Sequence, residues 1–162
     1  MSMRSLRFRG VLLVLACSVL ITAAATAQSW YAAGGFGPIA STGGRLGSST
    51  IMGAIGYQAN GGPGIRIAGA DQLSRFWFTG DLTWQFADRG HQVIPYALLG
   101  GGVALSWSDS PGALDLGGGV LFQMGRRVCA FAEARMATLL GSPSTDATGT
   151  FIPITLGLRV SP

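Results

Sequence analysis

The chain has 162 residues, among them 11 arginines, no lysine, 7 acids, 26 glycines, two cysteines and one histidine, a length that fits one domain. Charged residues make up only 11%, against about 25% in soluble domains, which argues against an ordinary water-solvated surface. The formal charge of +4 is concentrated at the start: without Arg4, Arg7 and Arg9 the balance is 8 arginines against 7 acids, or +1, with no run of cations of the kind a nucleic-acid face requires.

Met1 to Arg9 forms a basic start, Val11 to Ala25 is apolar, and Ala25-Thr26-Ala27 gives a small-x-small site. That order predicts a secretory signal peptide over 1–27, cut before Gln28. The apolar stretch falls short of the 18 or so residues a helical span needs. Val14-Leu15-Ala16-Cys17 loosely matches a lipoprotein box, but cleavage there would leave the apolar Ser18 to Ala27 on the mature chain. Of the two cysteines only Cys129 lies in 28–162, so no internal disulfide is expected. Stability of the exported chain must then come from a closed sheet, a membrane or a partner.

Beyond the leader, period-two alternation recurs while helical periodicity is missing. Turn signals divide the chain into eight strands at 29–38, 50–59, 63–71, 75–86, 91–106, 113–125, 128–140 and 150–160. The connections 60–62, 87–90 and 125–127 are tight, whereas 40–49, 107–112 and 141–149 are longer and rich in Ser, Thr and Gly. Long loops on one rim and tight turns on the other predict an all-β, eight-stranded antiparallel up-and-down transmembrane β-barrel, with both termini on the tight-turn, periplasmic side.

Hairpin centring gives registers, and a one-residue slip would mix the faces. A link centred near Leu73 sets Arg66 opposite Asp81, and a turn centred on Asp88-Arg89 sets Asp81 opposite Tyr96. A loop centred on 108–110 sets Leu99 opposite Val120 and Gly100–Gly102 against Gly117–Gly119.

Across the strands one face carries Arg66, Asp81, Asp115, Glu133, Arg135 and Arg159, otherwise mostly Thr, Gln, Gly and Ala. Three charges of each sign are too few to solvate a barrel's outside but suit a narrow lumen, where buried charges must be paired. The opposite face holds Phe76, Phe78, Leu82, Trp84 and Phe86 in one strand alone, an aggregation hazard in water. The expected arrangement is apolar side chains outward and charges inward. Trp30, Tyr57, Trp84 and Phe86 near one rim and Trp77, Trp107 and Phe151 near the other fit aromatic girdles, with Trp77 turned to the lumen by parity. Within the lumen the expected network pairs Arg66 with Asp81, Tyr96 with Asp81, Glu133 with Arg159, and Asp115 diagonally with Arg135. It plugs the interior, since eight strands leave just enough room for side chains.

On these patterns, 28–162 resembles the small eight-stranded outer-membrane barrels, the group of outer membrane protein A's membrane domain and outer membrane protein X. The most family-like pieces are Phe131-Ala-Glu-Ala-Arg135 and Phe151-Ile-Pro-Ile-Thr-Leu-Gly-Leu-Arg-Val160. Closing strands of this group often end in an aromatic residue; here the sequence reads Val160-Ser161-Pro162. The resemblance implies a bacterial outer-membrane location, contact with outer-membrane lipid, dependence on periplasmic chaperones and the barrel-assembly machinery, and a monomer. It implies a structural, envelope-integrity or surface-contact role.

No catalytic, cofactor or metal site is expected. Enzymatic barrels use a His with Ser, Asp or Glu near the outer rim, but His91, the single histidine, lies beside a tight turn. One His and one Cys cannot close a zinc site, and the glycine triplets lack the following helix and Lys of a phosphate loop. The competing architecture is an exported soluble, lipocalin-like barrel with an apolar lumen for a small ligand.

Overall fold

A computed structural model describes residues 29–41, 46–72, 75–106, 110–140 and 150–162. The leader, Trp107 and the longest connection, 141–149, lie outside the described residues. The eight strands are β1 (Ser29–Ser41), β2 (Leu46–Gln58), β3 (Pro63–Gln72), β4 (Arg75–Gln85), β5 (Val93–Leu105), β6 (Gly112–Gln123), β7 (Val128–Leu140) and β8 (Thr150–Val160). Each pairs antiparallel with its neighbour, and β1 pairs with β8, so the sheet closes into a barrel. Closure removes the unpaired edge that a lipid environment could not hydrogen-bond. β1 and β2 run further than the turn signals implied, leaving only 42–45 between them.

The two faces separate cleanly. Phe78, Leu116 and Leu156 are 50%, 52% and 54% exposed, while Asp81, Glu133 and Arg159 are 3%, 2% and 8% exposed. Burial alternates residue by residue along β4, from Phe76 to Gln85. Apolar side chains therefore face outward and charges inward, the reverse of a soluble barrel with a greasy lumen. The interior is also more apolar than expected. Tyr31, Ile39, Met52, Trp77, Ile94, Leu98, Leu121, Phe131 and Phe151 are buried in it, and Trp77 meets Phe151 edge to face at 5.4 Å. Phe151 thus fills the lumen instead of contributing to a girdle. At the other rim Trp30 and Tyr57 are register partners with ring centroids 5.1 Å apart, and Trp84 and Phe86 stand exposed nearby.

The register of β3 on β4 sets Arg66 opposite Asp81, as predicted. Two other registers differ by four residues each. Asp81 faces Gly100 instead of Tyr96, and Leu99 faces Leu116 instead of Val120. An even displacement keeps every side chain on its face, so the two faces are the same in the expected and the observed pairings. The β4–β5 turn is displaced because Asp88 and Arg89 engage the neighbouring turn. Arg89 N–H donates to Asn60 Oδ1 at 2.9 Å, and a side chain on Gly61 would collide with Asp88. Gly61 also has φ of 61°, a conformation that favours glycine. The glycine triplets do not face each other: Gly100 lies opposite Asp115, and Gly119 opposite Tyr96 and Glu133.

Candidate functional site: a paired charge cluster in the lumen

Register brings the charges of four strands, and a phenol from a fifth, to one level of the barrel. Arg66 from β3 donates from Nε to Asp81 Oδ2 of β4 at 2.8 Å. Its Nη1 and Nη2 reach across the lumen to Glu133 of β7, at 2.7 and 3.3 Å. Arg135, two residues along β7, donates from Nε to Glu133 Oε1 at 2.6 Å and from Nη1 to Asp115 Oδ2 of β6 at 2.8 Å. Its Nη2 lies 3.5 Å from Asp81 Oδ2. The Tyr96 hydroxyl of β5 donates to Glu133 Oε2 at 2.6 Å.

Glu133 is the hub. Both of its oxygens are occupied, by two guanidiniums and a phenol, and its carboxylate is fully enclosed. Such charge-assisted, partly bidentate bonds are the strong class of hydrogen bond and fix geometry as well as energy. They tie β3, β4, β5, β6 and β7 together through the centre, where the ladder joins each strand only to its neighbours. Two carboxylate oxygens, Asp81 Oδ1 and Asp115 Oδ1, accept no hydrogen bond among the described residues. Both crowd the point where a Cβ on Gly100 would sit. Glycine at that position lets two acids share one level of a narrow lumen. Gly119 does the same for Tyr96, whose hydroxyl lies 2.9 Å from the position of its missing Cβ.

Six of the seven sequence-predicted residues (Arg66, Asp81, Tyr96, Asp115, Glu133 and Arg135) meet in this cluster. Two expected pairings are replaced. Tyr96 bonds Glu133 and not Asp81, because the displaced β4–β5 register moves it away from Asp81. Glu133 bonds Arg66 and Arg135 and not Arg159, because Thr155, not Arg159, is its partner on β8. Arg159 lies nearer the tight turns, with its guanidinium 3.6 Å above the centre of the Tyr31 ring.

Apolar layers cap the cluster toward the longer loops. The space between Met52, Trp77, Thr79 and Thr155 on that side amounts to a cavity of about 20 Å³, room for about one water. On the tight-turn side a second cavity, also of about 20 Å³, lies among Tyr31, Arg66, Tyr96, Phe131 and Arg159. The remaining chemistry-bearing residues stand elsewhere. His91 is exposed on the β4–β5 turn, its Nδ1 3.3 Å from the Asp88 carbonyl oxygen. Cys129 is half-buried against the inner apolar cluster, opposite Gln123 and Arg159 in register. Among the described residues no group of three His, Cys, Asp or Glu could hold a metal ion.

The fold also gathers charge at a second place. Arg89, Arg126, Arg127 and Arg159 all line the lumen mouth at the tight-turn rim. They come from three separate parts of the chain, so no local run of cations announces them.

No protein-family profile and no curated protein matches the sequence. Solved structures do. The N-terminal β-barrel domain of Pseudomonas aeruginosa OprF superposes with a TM-score of 0.59 at 14% identity, covering 83% of this chain and 98% of that one. Neisserial surface protein A gives 0.58 at 15% identity, covering 82% and 96%. A de novo designed transmembrane β-barrel gives 0.51 at 9% identity, covering 83% and 96%. The chain has the fold of the small eight-stranded outer-membrane barrels.

Proposed function

From that fold, we propose that the chain is an integral, non-enzymatic protein of the bacterial outer membrane that contributes to envelope integrity or surface contact. One observation carries this reading: the outward face is apolar and the ionised side chains are turned inward and paired. That surface suits lipid and would aggregate in water. The leader 1–27 serves as the cleaved export signal, and 28–162 is the mature barrel, delivered by periplasmic chaperones to the assembly machinery and functioning as a monomer in outer-membrane lipid. The lumen cluster is a structural plug that fixes strand register, as buried ion pairs do where specificity outweighs their desolvation cost.

Fractionation tests the proposal. The protein should stay with the outer membrane until detergent is added, and should migrate differently on gels with and without boiling. Recovery in the soluble periplasmic extract would refute it and favour the soluble ligand-binding barrel.

A further inference from the structure

The tight-turn mouth of the barrel gathers four arginines around one cavity. Arg89 from the β4–β5 turn, Arg126 and Arg127 from the β6–β7 turn, and Arg159 near the end of β8 line one cavity of about 30 Å³. No Asp or Glu is among the residues lining it, and among the described residues none of these four arginines forms an ion pair. Arg126 and Arg127 are exposed, but Arg159 is 8% exposed. Its one described interaction is with the Tyr31 ring. The Arg89 side chain reaches Ser29 Oγ, which leaves part of its fork unused.

An ionised guanidinium so deeply placed normally carries a carboxylate, because an uncompensated buried charge is strongly destabilising. Arg66 and Arg135 follow that rule one layer away; Arg159 does not. Four guanidiniums with no acid between them match a small multivalent oxyanion. A carboxylate offers one charge and two oxygens, whereas a phosphate group offers more of both and fits the planar Arg fork. The cavity has room for the oxygen end of such a group and not for a sugar or an acyl chain, so the anion must enter from outside the mouth.

We propose that the tight-turn mouth binds a phosphate-class oxyanion, with Arg159 and Arg89 as the inner contacts and Arg126 and Arg127 as the outer ones. The same chemistry is offered by free phosphate in the periplasm and by phospholipid headgroups at the membrane surface. The site depends on the barrel geometry and not on the envelope role proposed above.

The full mature chain, refolded in maltoside micelles, provides the test. Inorganic phosphate should raise the thermal unfolding midpoint beyond chloride at equal ionic strength, by the mass-action stabilisation of a native-state ligand. The double substitution R126Q/R127Q, confined to exposed positions, should fold normally and weaken apparent phosphate affinity by about tenfold or more. R159Q should abolish the phosphate response while leaving the anion-free midpoint equal to or above wild type. If phosphate has no effect in micelles, but nanodiscs of phosphatidylglycerol protect wild type more than R126Q/R127Q relative to phosphatidylcholine, the occupant is the lipid headgroup. No anion-dependent difference in either setting would overturn the site. A fall in the anion-free midpoint of R159Q would also overturn it, because Arg159 would then serve as counter-charge to the lumen cluster.

Discussion

Two arginine-bearing regions of one lumen obey opposite rules. At the centre Arg66 and Arg135 are held by three carboxylates, one of which also accepts a hydrogen bond from the Tyr96 phenol, and all of these residues come from strand interiors set by register. At the tight-turn mouth Arg89, Arg126, Arg127 and Arg159 share no acid, and three of them come from turns. The difference shows what each part of the fold can enforce. Ladder pairing fixes side chains on a common level, so opposite charges can be matched in a dry interior. Turns converge on an opening that water and solutes reach, so like charges can stand together there.

Substitutions at the centre should therefore be felt and those outside it should not. The largest effect is expected for Glu133→Ala, which removes the carboxylate shared by two buried guanidiniums and leaves Arg66 with Asp81 and Arg135 with Asp115 and Asp81. A loss of about 3–5 kcal/mol is expected, read as a lower urea midpoint for the refolded barrel in micelles; an unchanged midpoint would show that the cluster stabilises nothing. Tyr96→Phe removes one hydrogen bond to a charged acceptor and should lose about 1.5–3 kcal/mol in the same assay. Gly100→Ala would press a methyl group onto Asp81 and Asp115, with an expected loss of about 1–3 kcal/mol from overpacking. The control is Gly53→Ala on the lipid face, where nothing lies within 4 Å of the added carbon. It should change the midpoint by no more than about 0.5 kcal/mol, and if it matched Gly100→Ala the loss there would be a generic effect of glycine replacement in strands.

Strand count, faces and most strand limits were legible in the sequence because they depend on period two alone. Phe76 to Gln85 announces its two faces without reference to any other strand. Pairing partners were less legible, because they depend on how each connection closes. Asp88 and Arg89 look like the tip of a tight hairpin, yet they bind Asn60 and crowd Gly61 on the adjacent turn, which no reading of one hairpin in isolation reveals. The cluster's membership followed from face assignment and came out nearly complete. Its internal wiring did not, since Arg66 reaches Glu133 across the lumen between residues 67 apart in sequence. The mouth arginines were invisible for the same reason: turns that are distant along the chain become neighbours only when the cylinder closes.

That closure has a consequence for how the molecule comes into being. The seam joins Ala32 to Val160, so the first strand synthesised must wait for the last before its outer hydrogen-bonding groups are satisfied. Contacts so far apart along the chain make for slow folding, and a half-made sheet carries two open borders that readily recruit other chains. Pairing of β8 with β1 is what removes both borders and turns the ribbon into a finished wall.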